Sequence, residues 1–305
     1  MSRIHEALKK AAQERSAQLA AGAEPTFLEV ADSPSVALPL REAIRDSQVP
    51  YPAPIESPGC YRYEDLIKKC ALPKWRIDPR TSVFEGGDDA HVGAERFRTL
   101  RSRLYQLGEA RPLRRVVVTS SVSGEGKTFV AANLAQSIVR QPGRRVLLID
   151  ADLRASRLHD VLGAPRSPGL SDYLRGDVDE FKAVQKGSDA HLCLIPSGSE
   201  TANPSELLLN ERMKMLLELM TPMFDWIIID TPPALPVHDA SMMADLCDGV
   251  LFVVRAGSTD NEIAAKAATD FQEKNLLGVV LNRADGDAGY GGYYYGYPAG
   301  AEGKK

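Results

Sequence analysis

The sequence predicts an α/β protein built on a doubly wound, mostly parallel sheet, and three observations predict it. Short continuous apolar runs rich in Val, Ile and Leu recur between residues 91 and 282, helical periodicities separate most of them, and two of the runs end in aspartate. Apolar strands alternating with helices are the pattern of a sheet covered on both faces. The composition fits: 44% hydrophobic and 26% charged residues in a chain of 305 suit one large globular domain with extensions. A net charge of −4 and a pI near 5.8 lack the basic footprint of nucleic-acid binding, so no nucleic-acid partner is expected. No run approaches the roughly 18 apolar residues of a membrane span. Residues 1–15 (MSRIHEALKKAAQER) have no apolar signal-peptide core, which predicts a cytoplasmic location. Cys60, Cys70, Cys193 and Cys247 show no CxxC spacing and read as reduced thiols rather than disulfides or zinc ligands.

In chain order, residues 1–20 read as an amphipathic helix, with Ile4, Leu8, Ala11 and Ala12 on one face beside Arg3, Lys9 and Lys10. Three roles stay open for it: packing on a partner helix, grazing a membrane, or remaining solvated. Nine of the 20 prolines fall in residues 1–80, which predicts a largely disordered linker over 21–84. The folded domain is expected over 85–285. It opens on a helix whose Glu95, Arg98 and Arg101 share one face while Phe97, Leu100, Leu104 and Leu107 fall on the other. That pattern alone asks for no more than local ion pairs. Strands are predicted at 115–119, 145–150, 192–195, 226–230, 250–254 and 278–281, and helices at 127–140, 204–220 and 260–274. The 204–220 helix announces its start with Asn203 as N-cap, Pro204 at the first position and Glu206 at the third. Residues 286–305 become Gly- and Tyr-rich and lose all patterning, as a flexible tail does.

The chemistry gathers at strand ends. Residues 120–128 (SSVSGEGKT) follow the first strand and open a helix. Gly124, Gly126, Lys127 and Thr128 match the end of a phosphate loop, with Ser121 where its first glycine usually stands. Small residues let successive amides curl around a phosphate, and the helix N-terminus adds positive dipole. Ser123, Gly124, Glu125, Gly126, Lys127, Thr128 and Phe129 are therefore the ATP-binding candidates. Lys127 would reach the β- and γ-phosphates, and the Thr128 hydroxyl would ligate Mg²⁺. One later strand ends in Asp150 and Asp152, with Arg154 just beyond; another ends in Asp230 before Thr231, Pro232 and Pro233. A parallel sheet delivers these ends to one edge, where Mg²⁺ would find hard oxygen ligands. Asn282, closing the last strand, is either an adenine-edge contact or a plain strand-end polar residue.

The SxxSGEGKT loop, the VLLIDADLR strand and the IIIDTPP strand resemble the Walker A, A′ and B motifs of the bacterial tyrosine kinases (BY-kinases). Those kinases serve capsule and exopolysaccharide export on the fold of the septum- and partition-type ATPases. The resemblance covers residues 85–297, and the opening MSRIHEALKKA is similar to the start of separately encoded chain-length-determinant tyrosine autokinases of exosortase-linked exopolysaccharide loci. The resemblance implies that Lys127 binds the phosphates and that Thr128, Asp152 and Asp230 hold Mg²⁺ directly or through water. It makes Asp150 the base for a tyrosine hydroxyl, which with a pKa near 10 is barely ionised at neutral pH. Arg154 would meet transition-state charge. Val122 stands where partition and septum ATPases carry an extra lysine, which favours the kinase branch. Pro233 stands where a GTPase switch needs glycine, which sets aside guanine reading by residues 282–285 (NRAD).

By the same resemblance, Glu95, Arg98 and Arg101 form the family's E-x-x-R-x-x-R self-association motif and imply a ring-like homo-oligomer. One subunit's tail would then reach the next subunit's active site. Tyr290, Tyr293, Tyr294, Tyr295 and Tyr297 become autophosphorylation sites, modified in trans and reset by a protein-tyrosine phosphatase. The implied activator is a membrane polysaccharide co-polymerase (chain-length determinant protein) that holds the chain at the inner membrane. Two other readings stay open: a non-kinase ATPase switch controlling partner binding, and a scaffold that binds nucleotide without turnover. Clustered tyrosines, for which a switch has no use, favour the kinase.

Overall fold

The computed structural model describes residues 62–85, 88–187 and 191–284, with residues 88–91 described by backbone alone. The N-terminal helix, most of the linker and the tyrosine tail lie outside the described residues. In chain order the elements are α1 (Tyr63–Lys69), α2 (Asp88–Ala110), β1 (Arg115–Ser120), α3 (Lys127–Val139), β2 (Val146–Asp150) and α4 (Leu158–Leu162). Then come α5 (Leu170–Arg175), α6 (Glu180–Ala183), β3 (Gln185–Lys186), β4 (Leu192–Ile195), α7 (Pro204–Leu208) and α8 (Glu211–Met220). The series closes with β5 (Trp226–Asp230), α9 (Asp239–Asp245), β6 (Gly249–Arg255), α10 (Asn261–Thr269) and β7 (Leu276–Asn282). The seven strands form one sheet in the order β3-β4-β2-β5-β1-β6-β7. Every pairing is parallel except that of β3 with β4.

Successive side chains of a strand point to opposite faces, and here each face has its own core. Val117, Leu147, Ile149, Ile227 and Ile229 pack on one side under α5, α8, α9 and α10. Val116, Val118, Leu148 and Ile228 pack on the other under α2, α3 and α4. This explains why the central strands read as continuous apolar runs rather than alternating ones: neither face meets water. Among the described residues no helix is long and apolar enough to cross a membrane.

Three expectations need correction. The disordered linker over 21–84 does not extend through its last part: Tyr63, Leu66, Cys70 and Trp75 are buried in the two cores. Residues 62–85 strap one end of the sheet, with Ala71 bridged to Gln185 and its carbonyl accepting from Lys186 N–H at 2.9 Å. Trp75 packs so closely over Gly187 that a Cβ there would lie 2.6 Å from the indole. Tyr63, Leu66 and the C-cap residue Cys70 share one face of α1 and Trp75 anchors the run beyond it, but a helix of 7 residues is too short a window for a periodicity argument. The predicted helix 204–220 is two helices, because Asn210 adopts extended backbone and its side chain accepts from Arg212 N–H to start α8 afresh. Asn203 sits at the cap position of α7, but its amide donates to Glu206 Oε2 at 3.0 Å instead of accepting a backbone N–H. The helix predicted at 260–274 stops at Thr269.

Candidate active site

Parallel pairing of β2, β5 and β1 sets their C-terminal ends side by side: Asp150 and Asp230 are register partners, and so are Val118 and Asp230. The loop from β1 to α3 passes over this edge. Gly124 and Gly126 adopt φ of +86° and +96°, left-handed values that favour glycine, and a Cβ on Gly126 would also collide with the Asn282 amide. Val130 N–H closes the first helical hydrogen bond onto Gly126 O at 2.9 Å. The amides of Lys127, Thr128 and Phe129 therefore stand outside the helix's own ladder, as an anion at a helix N-terminus requires.

Glu125, an ATP-binding candidate from sequence, braces this loop with its side chain. It is 2% exposed. Its Oε2 accepts Ser121 Oγ–H at 2.7 Å and Val122 N–H at 2.8 Å, while Oε1 accepts Thr259 Oγ–H at 2.5 Å and Arg255 N–H at 3.3 Å. With these four donors the carboxylate is satisfied. Ser121 replaces the usual first glycine because its hydroxyl completes that brace. Phe129 contributes to an anion site through its amide only, since its ring packs edge-on against Phe97 at 5.9 Å. That ring helps to line a groove of about 760 Å³ between α2, α3 and β7, together with Val279, Leu281 and Asn282. Asn282 reaches the loop as a clasp: its Nδ2 donates to Glu125 O at 2.8 Å and its Oδ1 accepts Arg283 N–H at 2.9 Å.

Lys127, Asp152, Asp230 and Thr128 converge as expected. Lys127 Nζ donates to Asp152 Oδ2 at 2.7 Å and lies 3.7 Å from Asp230 Oδ1. Thr128 Oγ1 donates to Asp230 Oδ2 at 2.6 Å. Burial alone would push the Lys127 ammonium down, but the charges of Asp230, Asp152 and Asp150 outweigh it and hold its pKa above the usual lysine value. Asp150 is fully buried behind them. Its Oδ2 accepts Ser156 Oγ–H at 2.7 Å and Leu158 N–H at 3.3 Å, and its Oδ1 accepts Asp152 N–H at 3.2 Å. Desolvation first, then the charge of Asp230, pushes the Asp150 carboxyl up to about 7 against the pull of the Ser156 hydroxyl. Asp230 is also raised by burial, with Lys127 and Thr128 opposing.

Among the described residues no cluster of three or more His, Cys, Asp or Glu side chains encloses a metal position. The set nonetheless fits Mg²⁺, whose ligands at a phosphate loop include a hydroxyl and phosphate oxygens. Asp230 Oδ1 is buried without a hydrogen-bond partner, beside the Thr128 hydroxyl.

Arg154 is turned to Asp239 and Ser205, two residues that belong to none of the motifs. The predicted shared face of Glu95, Arg98 and Arg101 is divided. Glu95 and Arg98 form an exposed ion pair, whereas Arg101 donates to the Ser137 carbonyl on α3. Leu107, expected on the buried side, is 44% exposed and borders a surface groove with Leu251 and Leu277. The five tail tyrosines lie outside the described residues.

Comparison with known proteins places this geometry. The family profile described as CobQ/CobB/MinD/ParA nucleotide binding domain matches residues 116–294. The tyrosine-protein kinase YwqD of Bacillus subtilis (strain 168) is 37% identical over 193 residues, which is 63% of this chain and 81% of that protein. The putative tyrosine-protein kinase EpsB of Ralstonia nicotianae is 39% identical over 69% of this chain, but the match spans only 27% of that longer protein. Among solved structures, the kinase domain of Escherichia coli tyrosine kinase ETK is 32% identical, with a TM-score of 0.59 over 65% of this chain and 80% of that one. The chimerical protein CapA2B2 gives 27% identity and a TM-score of 0.63 over 73% of this chain and 99% of that one. A nucleotide-binding domain profile matched over residues 116–294, with a kinase relative covered over 81% of its length, means that the chain belongs to the bacterial tyrosine-protein kinases on the CobQ/CobB/MinD/ParA fold.

Proposed function

We propose that the protein is an ATP- and Mg²⁺-dependent autokinase that phosphorylates its own C-terminal tyrosine cluster in trans and thereby regulates exopolysaccharide polymerisation and export. One observation carries the reading: Lys127, Thr128, Asp152 and Asp230 meet within hydrogen-bond reach beside a buried carboxyl, Asp150, poised near neutral pH. A base is tuned best when its pKa lies near the working pH. The bond from the γ-phosphorus to the bridging oxygen of ATP breaks, a bond from that phosphorus to the tyrosyl oxygen forms, the tyrosyl proton passes to Asp150, and ADP leaves. Lys127 neutralises charge on the β- and γ-phosphates, and the free amides of Lys127, Thr128 and Phe129 receive phosphate oxygens. Thr128, Asp152 and Asp230 would hold Mg²⁺, which when bound supplies positive charge along the phosphates. Asn282 keeps one N–H and one lone pair beyond its two bonds and borders the groove on α2. That leaves it able to contact an adenine edge.

The exposed Glu95–Arg98 pair supports self-association through α2. The exopolysaccharide role, the membrane co-polymerase as activator and inner-membrane anchor, and a resetting phosphatase follow from the motif resemblance. The test is an anti-phosphotyrosine blot of the purified chain with ATP and Mg²⁺, with and without its co-expressed membrane partner. Signal in the native chain and an at least ~100-fold loss in Lys127→Met, folded by circular dichroism, are expected. ATP hydrolysis without phosphotyrosine would establish the ATPase switch in its place.

A further inference from the structure

The Walker A′ turn is pinned at both sides of Arg154. Asp152 Oδ1 accepts Ala155 N–H at 2.9 Å, and Ser156 Oγ donates to Asp150 at 2.7 Å. Between these anchors, Arg154 enters a closed triangle of hydrogen bonds. Its Nε donates to Asp239 Oδ2 at 3.0 Å, its Nη2 donates to Ser205 Oγ at 2.7 Å, and Ser205 Oγ–H donates to Asp239 Oδ1 at 2.5 Å. The three residues come from the A′ turn, the first turn of α7 and the start of α9. The Asp239 side chain is 0% exposed, yet that of Arg154 is 40% exposed. The guanidinium therefore leans on a buried carboxylate and reaches outward. Among the described residues its Nη1 has no hydrogen-bond partner.

A buried ion pair is weak evidence for stability, since apolar packing between α7 and α9 would serve a plain brace as well or better. What this triangle supplies is orientation. A planar guanidinium with two nitrogens committed can present its third in only one direction, and its fixed positive charge suits a phosphoryl oxygen. Asp152, two residues earlier in the same turn, accepts from Lys127 Nζ at 2.7 Å, so the clamp ties Arg154 to the turn that meets the phosphate loop.

We propose that Asp239 and Ser205 are positioning residues that hold Arg154 with its free nitrogen presented to the phosphoryl group in transit, so that Arg154 meets charge that develops during transfer. This rests on the kinase reading above. Preorganised donors act on the transition state more than on bound substrate. The loss should therefore fall on kcat and leave the KM for ATP nearly unchanged.

The test is steady-state autophosphorylation of the full chain, with fluorescent-nucleotide binding measured in parallel. Arg154→Ala should lower kcat about 100-fold. Arg154→Lys should stay low, because lysine keeps the charge but cannot make the fork. Asp239→Asn and Ser205→Ala should each lower kcat about 10- to 100-fold, as misplacement does, and Ser205→Thr should restore it. Neither change should add to Arg154→Ala in a double-mutant cycle. Ser205→Ala carries the test alone if Asp239→Asn fails to fold. The clamp is overturned if Ser205→Ala keeps native kcat, or if it costs the same with and without Arg154; native phosphotyrosine in those assays would leave the kinase reading standing. No phosphotyrosine in the native chain would overturn both.

Discussion

Asp150, as the proposed base, links stability and turnover to pH with opposite signs. Its folded pKa of about 7 lies above the ~3.9 of an unfolded aspartate. Between those values the native state binds a proton that the unfolded state does not, so stability falls as pH rises through that window. For a shift of about three units the loss is on the order of 4 kcal/mol once the group is ionised. With Asp150 as the proposed base, turnover should run the other way, because only its carboxylate could accept the tyrosyl proton, and kcat should rise with pH through about 7. Melting temperatures of the native chain and Asp150→Asn, compared from pH 5 to 8, should show the native chain losing ground as pH increases. A constant difference would mean that Asp150 is not the titrating group. At this scale the sequence was informative wherever chemistry dictates a residue type. Lys127, Thr128, Asp152 and Asp230 meet as their motifs predict, but the roles of Glu125, Ser205 and Asp239 rest on partners far away in the chain. Thr259, for example, is 134 residues from the carboxylate it donates to.

At the scale of elements, α1 and the strand-like run to Trp75 belong to the domain rather than to a linker. Trp75 is 8% exposed and wedged over Gly187. Trp75→Ala should cost roughly 3–5 kcal/mol, read as a lower urea midpoint. A chain beginning at residue 62 should bind nucleotide, whereas one beginning at 85 should precipitate; equal behaviour would return the segment to linker status. Helix α2 divides its labour. Arg101 ties it to α3, and the Glu95–Arg98 pair lies in solvent, where it contributes little to the fold. Arg98→Ala should therefore lower the oligomer mass seen by light scattering while leaving the melting temperature near native. Arg101→Ala would blur the two effects, because it also loosens α2 from α3. Unchanged mass in Arg98→Ala would show this face to be merely solvated.

For the whole molecule, the expected behaviour is a charge-driven cycle. Five of the ten tyrosines lie within residues 290–297. Each phosphate adds roughly −1.5 to −2 charges at neutral pH, so full modification would add about −8 to −10. Repulsion on that scale should expel the tail from a neighbouring active site and disperse the assembly. Truncation after Ala288 should leave nucleotide binding intact and remove nearly all phosphotyrosine. Phosphate found by mass spectrometry on Tyr105 or Tyr173, with a clean tail, would defeat this cycle. Both of those rings sit against the core, and burial raises both phenols.

By itself the sequence determined the doubly wound sheet, the phosphate loop and the carboxylate strand ends. Short β-branched apolar runs alternating with helical periodicities are the pattern of strands buried on both faces, and parallel strands deliver their ends to one edge. Only the tertiary structure decided what depends on distant partners. It tied the Glu125 side chain to Ser121 and Thr259, turned Arg101 inward to Ser137, and seated Trp75 on Gly187. It also closed Arg154, Ser205 and Asp239 into one triangle. A hydrogen bond is specified by angle and distance between groups, and residues 85 apart in the chain acquire those only when the sheet has set their elements side by side.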